Sequence, residues 1–519
     1  MQGKKQYSEK LFTSFQLSDR VPDDNFYRRL KVQLDLHWLY ASTQKYYGTE
    51  GQASIDPVVF FKLILVGYLE NLNSDRKIID HSKMRLDILF FLGYDIDEEL
   101  PWHSTISRTR QLYGEEVFKE LFTKVLGMCI SKGMLGGRRQ AIDSAYIKAN
   151  ASMDSLIEKD IIDDGHQYLA DLQHDQYGKP VKQHKNKMND DRDNNNITQS
   201  RKKSTELHHH WKEVEYKDMP GAGSNDQAKF VSNHSHYSTT DRDARVSVKP
   251  GKPRQLNYSM QTAVDIGSHV ITGVQAHFAD RRDSEVLEDI LNDTIENLNM
   301  NDLQVEEIAA DTGYSSGKAL KACINKNVNA FIPNFGQYKP FRKGFTYDQQ
   351  YDRYTCTAKG VHLPYKKTYQ DKKGYYKKQY RSSAKDCGKC PLRTQCIGGR
   401  ADYKKIEESI DKPFYDQMHA RLQTPYARKM KKLRQSTVEP VLGTLINFMA
   451  LRRIWTRGIK SANKFMLGAA IAYNLKKWLN YNESKIKIAV QSIKEIEKEL
   501  HLLLFEAPLP TACHSRSYE

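Results

Sequence analysis

The sequence predicts an α/β core that follows an all-helical region and is interrupted by two insertions. Residues 1–135 read as entirely helical. After them, short apolar runs that end on aspartates alternate with helical patterns, as is typical of α/β proteins. Two stretches of different composition, 159–238 and 336–405, interrupt this alternation. The predicted core therefore comprises residues 136–158, 239–335 and 406–480, followed by a tail over 481–519.

The N-terminal region contains several helix start signals. Asp56 and Pro57 predict the cap and first turn of an apolar helix. Ser74 is expected to begin a second helix that runs through Phe91, and residues 115–132 repeat apolar positions at helical spacing. We therefore expect a bundle of short helices before the first strand.

Length, charge and cysteine content narrow the class of protein. The chain has 519 residues, enough for two to four units, and its net charge of +16 favours polyanionic partners. A generic basic protein would show the same excess, so charge alone leaves nucleic-acid binding at even odds. The polar N-terminus is unlike a secretory signal, and no run is apolar enough to suggest a membrane span. Seven cysteines are too few for a disulfide scaffold and favour a reducing cytoplasm.

Three acidic residues follow a pattern that suggests chemistry. The stretch RRQAIDSAYIKANAS places Asp143 at the end of an apolar run, and VEEIAADTGYSSGKAL places Asp311 likewise. In STVEPVLGTLINFM, Ser436 or Thr437 is expected to cap a helix on which Glu439 points away from the apolar side. Carboxylate oxygens suit Mg²⁺, and a pair of bridged cations can activate an attacking oxygen and stabilise a leaving one.

Four ordered segments resemble a known family. AIDSAYIKANAS, STTDRDARVSVKPGKPRQLNYSMQTAVD, AADTGYSSG and STVEPVLG, with the ending RRIWTRGIKSANKFMLGAAIAYNLKKWL, look like a DDE transposase of bacterial insertion sequences. The resemblance covers residues 17–479. It implies an RNase H-like catalytic core in which Asp143, Asp311 and Glu439 hold two Mg²⁺ ions, for which Mn²⁺ can substitute. The activity it implies is cleavage of DNA at the element ends followed by strand transfer into target DNA.

The same resemblance implies partners and a location. The partner is double-stranded DNA, both transposon ends and target, bound by a homodimer in the bacterial cytoplasm at the nucleoid and not at a membrane. The helical region would grip DNA, although packing or dimerisation is an equal alternative. Related transposases carry a basic residue two turns after the glutamate, where this chain has Ile446. The candidate DNA contacts near the glutamate are therefore Arg434, Arg452, Arg453 and Arg457.

The two insertions differ in character. Residues 159–238 are rich in Asp, Asn, Lys and His and read as a polar linker, in which the run His208 to His210 is better explained by solvation than by metal binding. The second insertion carries YKKTYQDKKGYYKKQYR. Its tyrosines could stack on bases while lysines contact phosphates, although a solvated charged face is the ordinary alternative. Its candidate DNA contacts are Lys366, Lys367, Lys377 and Lys378.

Four cysteines of the second insertion are candidates for structural zinc. Cys387, Cys390 and Cys396 follow Cys356 with one close pair, as a tetrahedral thiolate site requires. Their spacing is irregular for a zinc ribbon, so reduced cysteines without metal remain the alternative.

Other carboxylates and other functions compete with this interpretation. Asp265, Asp280 and Asp283 are rival acids, of which Asp265 is expected within a hairpin and Asp283 as a helix cap. The alternative functions are a catalytically silent DNA-binding protein derived from a transposase and a nuclease without strand transfer. The tail after residue 483 repeats apolar residues at heptad spacing and predicts a helix that needs a partner.

Overall fold

A computed structural model describes residues 5, 14–48, 50, 54–158, 233, 236–247, 254–371, 374–397 and 401–481. This part of the chain has a mixed α/β architecture in which a helical region precedes two larger sheets. The histidine run at 208–210, most of the first insertion and the heptad pattern after residue 483 lie outside the described residues.

The N-terminal region is helical, as the sequence predicts. Asp56 accepts hydrogen bonds from the backbone N–H groups of Val58 and Val59 and so caps its helix. The helix expected from Ser74 through Phe91 is wrong in extent, because Arg85 is extended and separates two helices. The described helices are Leu17–Arg20, Phe26–Gln33, Trp38–Thr43, Pro57–Leu69, Asp75–Lys83, Leu86–Leu92, His103–Leu112 and Glu115–Ser131.

The strands form two larger sheets and one small ribbon. In chain order they are β1 (Arg139–Lys148), β2 (Leu156–Glu158), β3 (His236–Ser238), β4 (Arg245–Ser247), β5 (Gln255–Asp265), β6 (Ile271–Phe278), β7 (Glu307–Ala309), β8 (Asn329–Phe331), β9 (Phe345–Asp348), β10 (Arg353–Cys356), β11 (His362–Gln370), β12 (Tyr376–Arg381) and β13 (Lys405–Ser409).

The main sheet follows the order β4-β5-β1-β7-β8, with β6 also paired to β5. β1 runs antiparallel to β5 and parallel to β7, and β7 runs parallel to β8. The predicted hairpin is confirmed, since β5 and β6 pair antiparallel. Asp265 ends β5 and accepts hydrogen bonds from Ser268, which fastens the hairpin turn.

The first insertion leaves and rejoins the core at one place. β2 and β3 pair antiparallel, so the residues at 156–158 and 236–238 lie side by side. Residues 236–238 were expected to belong to the polar linker, but they form a strand. The linker is therefore anchored by a short ribbon at both ends.

The second insertion folds as a separate sheet of order β13-β12-β11-β10-β9, and its strand β13 extends beyond the predicted boundary at residue 405 to Ser409. Its own small core contains Tyr354, Leu363, Tyr380 and Ile406. The Lys- and Tyr-rich segment forms the hairpin of β11 and β12, and most of the β11 side chains are exposed. We call this element the basic hairpin.

Five longer helices surround the main sheet: Asp283–Asn299, Gly317–Asn325, Lys412–Leu422, Pro425–Phe448 and Ile459–Asn480. We call Pro425–Phe448 the glutamate helix, and it packs against β1, β5 and β7. The helix Ile459–Asn480 packs both on β6 and on three helices of the N-terminal region. One hydrophobic core thus joins the helical region to the main sheet. None of the described helices is long and apolar enough to cross a bilayer.

Candidate active site

Strand register brings two predicted acids together. Ala141 on β1 is the parallel partner of Ala309 on β7. Asp143 and Asp311 each follow two residues later, so they occupy matching positions on neighbouring chain segments. Adjacent strands lie about 4.8 Å apart. Burial raises the pKa of the Asp143 carboxyl, and the negative charge of the neighbouring Asp311 raises it further.

The third acid comes from the glutamate helix. Thr424 caps this helix by accepting a hydrogen bond from the backbone N–H of Ala427. The prediction that Ser436 or Thr437 caps it is therefore wrong, because both lie within the helix. Pro440 also lies in its interior, where it cannot donate the usual backbone hydrogen bond.

Burial orients the glutamate helix on the sheet. Its buried residues adjoining the glutamate are Thr437, Val438, Val441 and Leu442. Glu439 lies between them in sequence but keeps 51% of its side chain exposed. The apolar positions thus hold the helix against the sheet while the carboxylate of Glu439 remains accessible.

One arginine connects the helix to the strand. Arg434 Nη1 lies 2.5 Å from Asp143 Oδ2, and Arg434 Nη2 lies 3.7 Å from Glu439 Oε1. The side chains of Arg434 and Asp143 are only 14% and 17% exposed. Arg434 was predicted as a candidate DNA contact, and the structure places its guanidinium between two of the three predicted acids.

Burial and the nearby positive charge shift the pKa of the Asp143 carboxyl in opposite directions. Desolvation raises the pKa of its carboxyl, while a hydrogen bond from the Ser144 backbone and the charge of Arg434 lower that pKa. The net shift is upward. Arg434 thus offsets part of the cost of an ionised carboxylate in this position.

A fourth carboxylate lies next to Asp311. A Cβ added to Gly313 would meet Asp311 Oδ1 at 3.0 Å and Asp283 Oδ2 at 3.1 Å. Arg282 is the N-cap of the helix that Asp283 begins, so the prediction that Asp283 serves as its cap is wrong. Its Oδ1 instead accepts a hydrogen bond of 2.8 Å from Gln261 Nε2.

Sequence reasoning missed the polar chain behind this carboxylate. The hydroxyl of buried Tyr314 donates to Gln261 Oε1, and burial raises the pKa of Tyr314 well above its ordinary value. The negative charges of Asp283, Asp143 and Asp311 raise it further. No sequence pattern distinguishes Gln261 or Tyr314 from other residues of a buried strand and turn.

The acids have the right chemistry for divalent cations, but two of them, Asp143 and Glu439, lie beside a guanidinium. Among the residues that the structure describes, no group of three or more His, Cys, Asp or Glu side chains is placed to hold a metal ion. The positively charged guanidinium of Arg434 lies beside one carboxylate oxygen of Asp143 and one of Glu439. The donor set fits Mg²⁺ because hard oxygen ligands suit hard cations.

The four cysteines predicted as zinc ligands also form no metal-binding group among the described residues. Cys356, Cys387, Cys390 and Cys396 are free and partly buried. Zinc binding by these thiols stays a prediction, to be checked by measuring the zinc content of the purified protein.

Predicted basic contacts lie on two surfaces. A loop with Arg452, Arg453 and Arg457 runs beside the end of β1, where the backbone N–H of Ile454 donates to the Lys148 carbonyl. Arg453 Nη2 also donates to Asn150 Oδ1 at 3.0 Å.

The basic hairpin supplies the second surface. Lys366 and Lys367 are exposed on it, whereas Lys377 pairs with Asp371 and Lys378 with Asp352. The hairpin also contacts the core near the acids, because Arg282 Nη1 donates to Tyr375 Oη at 3.3 Å.

Comparison with known families gives two matches. Residues 15–112 match a family described as a transposase domain (DUF772), and residues 355–479 match the transposase DDE domain. The chain belongs to the DDE transposases. No curated protein and no solved structure matches it. The DDE match in this transposase includes Glu439 and most of the second insertion, whereas Asp143 and Asp311 lie outside both matched segments.

Proposed function

We propose that this transposase cuts DNA at the ends of an insertion sequence and joins the freed ends to target DNA, using an RNase H-like core. The observation that carries the proposal is the matching position of Asp143 and Asp311 on parallel neighbouring segments, together with the contacts of Arg434 to Asp143 and Glu439. The parallel and antiparallel strand order of the main sheet and the flanking helices support the RNase H-like assignment.

Asp143, Asp311 and Glu439 are the residues that would hold the metal ions. Two Mg²⁺ ions, or Mn²⁺ in their place, would supply activation of the attacking oxygen and stabilisation of the leaving oxygen. The guanidinium of Arg434 supports this assignment, since it shows that a positive charge is accommodated between Asp143 and Glu439.

Arg434 has a defined part in this proposal. Its contact with Asp143 favours the ionised carboxylate against the effect of burial. A guanidinium that leaves this carboxylate can bind a DNA phosphate, which is an equally good bidentate partner. Arg434 therefore stabilises the free enzyme and, once displaced, becomes available to the DNA end.

The basic surfaces would position double-stranded DNA. The loop with Arg452, Arg453 and Arg457 lies beside the end of β1, and the basic hairpin contacts Arg282, which adjoins Asp283. Their cations would contact phosphates of the transposon end and of the target without reading sequence. A second copy of the chain would hold the other transposon end.

A single reaction tests the proposal. The protein is incubated with labelled element ends, Mg²⁺ and a target plasmid, and the products are separated by size. Joined product supports transposition, cut product alone would indicate a nuclease, and shifted but uncut DNA would indicate a silent DNA-binding protein. Asp311→Asn is the matched control, because it keeps the side-chain size but removes the ligand charge.

A further inference from the structure

A buried hydroxyl lies beside Asp143 without a hydrogen-bond partner. Thr262 on β5 is the antiparallel partner of Asp143 on β1, and its side chain is fully buried. Its Oγ1 atom makes no hydrogen bond within the residues that the structure describes. Buried polar atoms are normally paired, because an unmet hydrogen bond in the protein interior costs free energy. The hydroxyl of Thr262 is therefore expected to gain a partner in another state of the site.

Strand register decides which groups surround this hydroxyl. Directly paired residues on adjacent antiparallel strands lie on the same face of the sheet, with Cβ atoms about 5 Å apart. Along β5 the neighbours of Thr262 on this face are Met260 and Val264. Its partner on β6 is Val274, and all three of these residues are apolar. Among these described neighbours, Asp143 is the one polar side chain.

Asp143 has acceptor capacity left for this hydroxyl. The Ser144 backbone N–H donates to its Oδ1 at 2.8 Å, and Arg434 Nη1 contacts its Oδ2. An ionised carboxylate offers about four lone-pair sites, so these two donors leave room for another. They also orient the carboxylate, which makes no hydrogen bond with Thr262 in this state. A change at either donor would let the carboxylate turn towards the Thr262 hydroxyl.

Binding of a divalent ion would be such a change. The ion would need the Asp143 oxygen that Arg434 now contacts, so the guanidinium would be displaced. Carboxylates that bind metal ions are themselves held by hydrogen bonds from neighbouring groups, which fix the orientation of the ligand oxygen. A buried hydroxyl suits this task, because it donates one hydrogen bond without adding a charge.

We propose that Thr262 is a positioning residue of the metal site, whose hydroxyl donates to the Asp143 carboxylate once a divalent ion replaces Arg434 there. The hydroxyl then gains a partner, and the carboxylate gains a donor in place of the guanidinium. Removing the hydroxyl should therefore weaken the metal-bound state and spare the metal-free one. The inference rests on the proposed function, because it takes Asp143 as a metal ligand.

The test compares Thr262→Val, which keeps the shape of the side chain but removes the hydroxyl, with Thr262→Ser, which keeps the hydroxyl. Titration calorimetry of the full chain with Mn²⁺, without DNA, should show roughly 10- to 100-fold weaker binding by Thr262→Val, the usual cost of removing such a hydrogen bond. Thr262→Ser should bind Mn²⁺ nearly as tightly as the parent. In chelator-treated buffer, the Tm of Thr262→Val should equal or exceed that of the parent, because the lost hydroxyl had no partner.

Thr294→Val is the matched control. Thr294 is also fully buried, but its hydroxyl already donates to the Ile290 carbonyl at 2.7 Å. This variant should lower the Tm and leave the affinity for Mn²⁺ unchanged, because it loses a hydrogen bond that lies on another element of the fold.

Three results would overturn the inference. Thr262→Val could bind Mn²⁺ as tightly as the parent, which would show that the hydroxyl holds no ligand. Thr262→Ser could bind it as weakly as Thr262→Val, which would assign the effect to packing. Thr262→Val could also lower the Tm of the metal-free protein as Thr294→Val does, which would show that its hydroxyl is already paired. A failure of the proposed function is recognised separately, since Asp311→Asn would then bind Mn²⁺ as tightly as the parent.

Discussion

Arg434 on the glutamate helix and Asp143 on β1 form an ion pair of 2.5 Å, although they are 291 residues apart in sequence. This pair links the glutamate helix to β1 at Asp143. It also neutralises a partly buried carboxylate in the absence of metal. Because a divalent ion would need the same oxygen atoms, the guanidinium and the metal should compete for them.

Replacing Arg434 should therefore tighten metal binding. In Arg434→Gln the Asp143 and Glu439 carboxylates lose their internal cation, so we expect several-fold higher affinity for Mn²⁺ without DNA. Isothermal titration calorimetry at a pH of about 8, where carboxyl protonation is negligible, measures this change. Arg428→Gln is the matched control, since it removes an exposed arginine from the same helix. Equal or weaker Mn²⁺ binding by Arg434→Gln would refute the competition.

The raised pKa of Asp143 predicts a pH-dependent stability. The folded state holds this proton more tightly than the unfolded chain, so the stabilisation is complete below the ordinary carboxyl pKa and is lost as pH rises through the raised value. Asp143→Asn has no titrating carboxyl at this position, so it does not lose this stabilisation as the pH rises. In chelator-treated buffer, the Tm of the variant relative to the parent should rise over the pH range above the ordinary carboxyl pKa of about 4. A constant difference across this range would show that Asp143 does not titrate as described.

The lysines of the basic hairpin should contribute unequally to DNA affinity. Lys366 and Lys367 are exposed, whereas Lys377 and Lys378 are held by Asp371 and Asp352. Neutralising the first pair with glutamine should lower the slope of log affinity against log salt by about 0.9 for each lost phosphate contact. The same change at Lys377 and Lys378 should have a smaller effect. Fluorescence anisotropy at several salt concentrations compares the pairs, and an equal effect would contradict this view of the hairpin.

The glutamate helix should tolerate one stabilising change. A Cβ added at Gly443 meets no atom within 4 Å. Gly443→Ala should therefore raise the free energy of unfolding by about 0.5 to 1 kcal/mol, because alanine loses less backbone entropy in a helix. Urea unfolding measures the change. A loss of stability would mean that the helix packs differently around this residue.

Sequence patterns predicted the strands that precede Asp143 and Asp311 better than the helix that carries Glu439. Apolar runs that end on Asp143 and Asp311 are direct signatures of strands, and the structure confirms β1 and β7 there. Ser436, Thr437 and Pro440 imitate a helix start, but tertiary packing extends the helix back to Pro425.

Other features of the structure leave no pattern in the sequence from which they could be predicted. The second sheet was not predicted as a sheet, because its small core is formed by a few dispersed residues such as Tyr354 and Tyr380. The pairing of Arg434 with Asp143 depends on contacts between distant segments, which periodicity does not reveal. The same holds for Asp283, whose place beside Asp311 depends on the turn at Gly313.

The most direct test of the central claim is DNA cleavage by Asp311→Asn. The variant keeps the size of the side chain but loses the charge that would hold a divalent ion, so cutting and joining of labelled element ends in Mg²⁺ should collapse. DNA binding should persist, because lysines and arginines provide the phosphate contacts. An unchanged thermal unfolding curve would show that the fold survives. Cleavage and joining at a rate close to that of the parent would contradict the proposed mechanism.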